Sequence, residues 1–132
     1  MKILVDTNIL ISAVFFPGSR VAQTLIYVAG NHDMVLCDQN IKELREVLAR
    51  KKPDKLPDAE VLLAELSYEL IPAAYHPEKL IRDVKDQPIL NAAIIENVDV
   101  ILTGDKDFLS LELEQPKCMN VAMFLGYVGI ED

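Results

Sequence analysis

A chain of 132 residues, 51% hydrophobic with a mean hydropathy of +0.19, has the length of one domain (roughly 100–150 residues) and enough apolar content for a layered core. No apolar run reaches the roughly 18–20 residues that span a bilayer. The first apolar stretch is interrupted by Asp6 and Asn8 and does not read as a signal peptide, so the expectation is a cytoplasmic protein with no membrane partner. The net charge of −8 argues against a uniformly basic nucleic-acid surface, unless clustered acids are offset by bound divalent ions.

Short β-branched runs alternate with longer helical patterns, as in parallel α/β sheets. Ile3–Val5 reads as the first strand. Ser19 is placed to cap a helix whose Val21, Ala22, Leu25, Ile26 and Ala29 follow a helical period, with Gly30 as its stop. Met34–Cys37 is the second strand. Asp38 is expected to cap the following helix, which carries Ile41, Leu44, Val47 and Leu48 on one face. Pro53 to Pro57 breaks that pattern, and Lys51–Lys55 reads as an exposed turn. A helix resumes from Asp58 to Ser67. Glu69–Ala74 is the third strand, short or at an edge because of Pro72. Asp86 is expected to cap the next helix, with Pro88 in its first turn. Ile89, Leu90, Ala92, Ala93, Ile94 and Ile95 make that helix apolar nearly all round, which predicts burial. Val100–Leu102 and Cys118–Val121 complete the strands, and Met123 to Val128 adds a last short helix. Repeats and linkers are absent from the pattern, so residues 1–132 read as one unit.

Cys37 and Cys118 lie in apolar runs outside any paired metal motif and are expected to be reduced, buried and inert. His32 and His76 sit in turn-like contexts and read as exposed loop residues. The bases fall in two groups: Lys42, Arg45, Arg50, Lys51, Lys52 and Lys55, then Lys79, Arg82 and Lys85. The plain reading of these groups is solvated helix faces, and for the first group it weighs equally with a binding surface.

Four acids stand where a metal site would need them. Asp6 and Asp105 end strand-like runs, while Glu43 and Asp86 fall near helix starts. In a parallel α/β fold these positions share one sheet edge. Taken singly, a carboxylate at a helix N-terminus is favoured by about 0.3–1 kcal/mol anyway, so Asp86 alone reads as a cap. Glu43 alone is ordinary, and Glu46 competes with it. Asp6 is harder to explain structurally, because an acid at a strand end is usually paired, hydrogen-bonded or metal-bound. Asp105 has the same character, and Gly104 before it is expected to permit a tight turn. Converging carboxylates about 4 Å apart repel by about 4 kcal/mol per pair at an effective dielectric near 20. Mg2+ or Mn2+ relieves that conflict, since both prefer carboxylate oxygen, and the chemistry that follows is phosphodiester hydrolysis.

Taken together, four segments resemble the PIN-domain ribonucleases: Val5-Asp6-Thr7-Asn8-Ile9-Leu10-Ile11-Ser12-Ala13, Glu43-Leu44-Arg45-Glu46-Val47-Leu48, Arg82-Asp83-Val84-Lys85-Asp86-Gln87-Pro88-Ile89-Leu90-Asn91-Ala92-Ala93, and Leu102-Thr103-Gly104-Asp105-Lys106-Asp107-Phe108-Leu109. The resemblance implies a three-layer α/β/α fold with a central, mostly parallel sheet of about five strands. It also implies a Mg2+- or Mn2+-dependent endoribonuclease. Its metal-binding acids fall on Asp6, Glu43, Asp86 and Asp105, with Asp107 as an additional acid and Asn8 and Thr103 as supporting polar positions. Asp83 competes with Asp86 for the third motif. Family members of this size are often toxins of toxin–antitoxin pairs, which implies an RNA substrate, an antitoxin partner and a homodimer. The rival from another class is a catalytically inactive PIN domain that binds RNA or protein. A haloacid-dehalogenase-type phosphatase would need a second Asp where Asn8 stands. A receiver domain would need a lysine ending the last strand, and Lys117 precedes it.

Overall fold

A computed structural model describes residues 1–74 and 86–130. Five strands form one sheet in the order β3-β2-β1-β4-β5, with every neighbouring pair parallel. They are β1 (Lys2–Val5), β2 (Asp33–Cys37), β3 (Glu69–Ile71), β4 (Val100–Leu102) and β5 (Lys117–Met119). The helices are α1 (Thr7–Phe15), α2 (Arg20–Asn31), α3 (Asp38–Lys51), α4 (Leu56–Glu65), α5 (Gln87–Ile95), α6 (Lys106–Leu109) and α7 (Val121–Tyr127), with a 3-10 turn at Pro53–Lys55.

The central strands are apolar on both faces because helices cover both. Ile3 and Val5 of β1 pack with Met34, Leu36, Val100 and Leu102 beneath α1, α2, α3, α4 and α7. Leu4, Val35 and Ile101 face the other way, onto Ile89, Leu90, Ala92 and Ala93 of α5 and Phe108 of α6. This is the parallel α/β sheet that the alternation of runs predicts, in the three-layer α/β/α arrangement that the family resemblance implies. Among the described residues no single helix is long and apolar enough to cross a membrane.

Several local expectations change. Helix α1 was not anticipated: Ile9, Leu10, Ala13 and Val14 are buried at a helical spacing, but Ile11 and Phe15 on the other side are apolar as well, so the run reads as continuously apolar and its period is masked. Asp38 is the first residue of α3, and the N-cap is Cys37. The Asp38 carboxylate instead accepts from the backbone N–H of Ala73 at 2.9 Å. Helix α2 runs through Gly30 to Asn31, and α4 starts at Leu56, two residues before Asp58. Strand β3 stops at Ile71, before Pro72, and β5 stops at Met119. Helix α5 is not buried all round: Ile95 is 57% exposed and Ile94 is also exposed. His32 is half-buried rather than looped out, packed edge-on against Tyr27 and Phe124. His76, Asp83, Lys79, Arg82 and Lys85 lie outside the described residues.

The Ser19 cap is present, its hydroxyl accepting from Ala22 N at 3.2 Å. Ser19→Ala should therefore cost about 1 kcal/mol, seen as a lower urea midpoint with an unchanged slope. No shift in midpoint would mean that water replaces the bond.

Candidate metal centre at the sheet edge

The site begins with strand register. Val5 of β1 pairs with Leu102 of β4, and Asp6 N donates to Leu102 O at 2.9 Å. The next residue of each strand, Asp6 and Thr103, therefore emerges side by side. From here β1 leads away to β2 on one side while β4 leads to β5 on the other. Such a switch point opens a crevice at the carboxyl ends of the strands, where ligands bind in open α/β sheets.

Asp6 is buried in that crevice and forms the N-cap of α1. Its Oδ1 accepts from Thr7 N at 2.9 Å, and its Oδ2 from the hydroxyl of Thr103 at 2.8 Å. Thr103 is fully buried, and its oxygen accepts in turn from Asp105 N at 3.0 Å. Asp105 Oδ1 then accepts from Asp107 N at 2.8 Å, capping α6. Helix α6 has four residues, far below the roughly 12–15 an isolated helix needs. The cap and the buried Phe108 hold it in place.

Burial pushes the Asp6 carboxyl up from its ordinary value of 3.8 to about 6. The bonds from Thr103 and Thr7 pull the other way, and the negative charges of Asp105 and Glu43 push it further up. Desolvation disfavours the ionised form, and neighbouring carboxylates add to it.

Glu43 reaches the same edge from α3. Its Oε2 accepts from Thr7 Oγ1 at 3.3 Å and its Oε1 from Gln39 Nε2 at 3.1 Å. Its competitor Glu46 is exposed and lies 4.0 Å from Lys42 in a surface ion pair. Asp86 occupies the N-cap position of α5, but its carboxylate makes no capping bond. Instead Asp86, Asp105 and Asp107 each offer an oxygen within 4.8 Å of the others. These three carboxylates would hold a divalent ion once their side chains closed on it, and the ion would offset their mutual repulsion. The donors are all carboxylate oxygens, which fits a hard divalent cation and not a thiophilic one.

The structure thus brings Asp86, Asp105 and Asp107 within ligand distance of one another; Asp6 and Glu43 stand outside that set, Asp6 joined to Asp105 through Thr103 and Glu43 held at the same edge through Thr7. Asn8 is exposed on the first turn of α1. Gly104 does not take the left-handed conformation, and a Cβ there would meet nothing within 4 Å, so the turn does not require glycine. Thr7, Gln39 and Asn40 belong to the network and were not anticipated. Asn40 did carry a signal, as the polar member of the 40–44–48 stripe of α3, whose other members Leu44 and Leu48 are fully buried. Burial raises both thiols to about 11. Cys37 is buried as expected, whereas Cys118 is only half-buried.

Acids gathered at the switch point of a parallel sheet occur in more than one class of protein, and here the family settles which: the chain belongs to the PIN-domain family, whose profile matches residues 2–107. Members of that family are generally nucleases. Among solved structures, the fold is similar to the crystal structure of VapBC2 from Rickettsia felis bound to a DNA fragment from their promoter. The TM-score is 0.70 at 19% identity, covering 91% of this chain and 98% of that one. None of the curated proteins compared with the chain matches it.

Proposed function

We propose that this protein is a divalent-metal-dependent endoribonuclease, acting as the toxin of a toxin–antitoxin pair. The observation that carries the nuclease reading is the convergence of Asp86, Asp105 and Asp107 at the sheet edge, beside an Asp6 pushed up to about 6 by burial and by the charges of Asp105 and Glu43. Such a cluster is poorly stable as an all-anionic set without a counter-charge. Asp86, Asp105 and Asp107 would hold Mg2+ or Mn2+ together with Asp6 and Glu43. When bound, the ion supplies a more acidic water and offsets charge on the phosphate. The chain's own part is to place that chemistry: Thr103 and Thr7 orient Asp6, and the Asp105 cap fixes the short helix α6 that carries Asp107.

A groove of about 720 Å3 opens beside Glu43, lined by Gln39, Lys42, Glu46 and Arg50 among others. It supports a polynucleotide substrate, with Arg50 as a cation toward a phosphate. Other bases of this group are engaged elsewhere on the surface, Arg45 with Glu60 and Lys55 with Asp58. The toxin role rests on the likeness to VapBC2 together with the motif resemblance, and it brings with it an antitoxin partner and a homodimer.

The test is cleavage of single-stranded RNA by the purified chain with Mn2+, with excess chelator, and by Asp105→Asn. Cleavage should vanish in chelator and fall by more than about 100-fold in the variant, beyond the 10–100-fold typical of residues that only support ligands. Undiminished cleavage in chelator would sink the metal mechanism. RNA that is bound in Mn2+ but left intact would assign the chain to the binding modules instead.

A further inference from the structure

Asn40 is fully buried on the apolar stripe of α3, where a polar side chain is tolerated only if its hydrogen bonds are made. Its Oδ1 accepts from the backbone N–H of Cys37 at 3.3 Å, and its Nδ2 donates to Thr7 Oγ1 at 3.0 Å. A backbone N–H can meet only an acceptor, so the orientation of the amide is not free: oxygen faces Cys37 and nitrogen faces Thr7. The consequence passes to Thr7. Its hydroxyl has one proton, and by accepting from Asn40 it turns that proton outward. Two acceptors are in range, Glu43 Oε2 at 3.3 Å and the Asn40 carbonyl at 3.5 Å. The carboxylate is nearer and charged, and charge-assisted bonds are the stronger ones. Gln39 donates to the other oxygen of Glu43. Each Glu43 oxygen therefore receives a donor that holds the carboxylate plane, and each keeps lone-pair capacity for an ion.

We infer that Asn40 is a positioning residue for the metal centre: it sets the direction of the Thr7 hydroxyl, which with Gln39 presents Glu43 for a divalent ion. This rests on the metal-dependent reading above. It also explains why a buried polar residue interrupts the stripe of α3, since an apolar residue there would leave Thr7 free to turn away from Glu43.

The test is Mn2+ affinity by calorimetry, with folding of each variant checked by circular dichroism. Asn40→Asp keeps the acceptor for Cys37 but replaces the donor toward Thr7 with a second acceptor, drawing the hydroxyl proton away from Glu43. Mn2+ affinity should fall about 10-fold or more, within the 10–100-fold typical of residues that orient ligands. Thr7→Val, which adds no charge and keeps the inquiry open if Asn40→Asp does not fold, should show the same loss. Thr7→Ser should recover most of it. Combining Asn40→Asp with Thr7→Val should lose no more than the larger single change, because both act through one bond.

Affinities within twofold of wild type in both single variants, or losses that multiply in the double variant, would overturn the inference. Wild-type protein that fails to bind Mn2+ would overturn this inference and the metal reading together. Wild-type protein that binds Mn2+ without cutting RNA would overturn only the nuclease reading, and the affinities of the variants would still decide the role of Asn40.

Discussion

Asp6→Asn should abolish Mn2+ binding and RNA cleavage while raising the melting temperature of the metal-free protein. The first effect follows from removing a carboxylate from the crevice, and a loss of more than about 100-fold is expected, above the range for merely supporting residues. The second follows from linkage. The Asp6 carboxyl is raised from 3.8 to about 6 in the folded protein, so the native state holds this proton more tightly than the unfolded chain does. Its contribution to stability is fully present below about pH 4 and is lost as pH rises through about 6. At neutral pH the buried charge then costs roughly 3 kcal/mol, at 1.36 kcal/mol per pH unit.

Asparagine removes that charge but cannot accept both of the bonds that Thr7 and Thr103 donate to Asp6, which returns about 1 kcal/mol. The net gain of about 1–2 kcal/mol corresponds to roughly 3–7 °C for a chain of this size. The gain should be present at pH 7–8 and absent at pH 4. A variant that melts lower than wild type equally at both pH values would show that Asp6 is held by structure rather than strained by charge.

Thr103→Val should destabilise the protein by about 3 kcal/mol near neutral pH, or roughly 10 °C in melting temperature. Valine matches threonine in shape, so packing is nearly unchanged, but two bonds go at once. Asp6 Oδ2 loses a donor at 2.8 Å and Asp105 N loses its acceptor at 3.0 Å. Because the Thr103 bond holds the Asp6 carboxyl down, its loss lets that carboxyl rise above about 6. The deficit should therefore grow as pH rises through 6, since a charged acceptor suffers more than a neutral one. In the Asp6→Asn background the pH dependence should disappear. A deficit independent of pH in the Asp6 protein would show that Thr103 acts only through Asp105 and the loop. Thermal melts at pH 5 and pH 8 decide between the two.

These two residues also show how far the site was legible before the fold was known. Asp6 and Asp105 could be read because polar residues break apolar runs at strand ends, a pattern visible in one dimension. Glu43 and Asp86 were ambiguous taken singly, because helix starts favour acids for reasons unrelated to metals. Their place in the site comes from partners distant in sequence, Thr7 for Glu43 and Asp105 with Asp107 for Asp86. Asn8 drew attention as part of Asp6-Thr7-Asn8, yet the structure exposes it and gives the connecting role to Thr7. Helix α6 escaped notice because four residues carry no period, and only the Asp105 cap and the buried Phe108 make it a helix. Helix α2 passed through Gly30 because a glycine near a helix end is a frequent stop and not an obligatory one.

By itself, the sequence determined the kinds of elements and the order of the acids along the chain. Runs such as Lys2–Val5 and Val100–Leu102 are apolar at every buried position, as interior strands of a parallel sheet are, and they are rich in β-branched residues. What only the tertiary structure decided is which strands are neighbours, and with that the chemistry. The pairing of β1 with β4 brings Thr103 onto Asp6 across 97 residues. The proton affinity of Asp6 is set by desolvation and nearby charge, which are properties of packing and not of residue type. A buried carboxyl at about 6 beside Glu43 and Asp105 exists only once the sheet has closed around it.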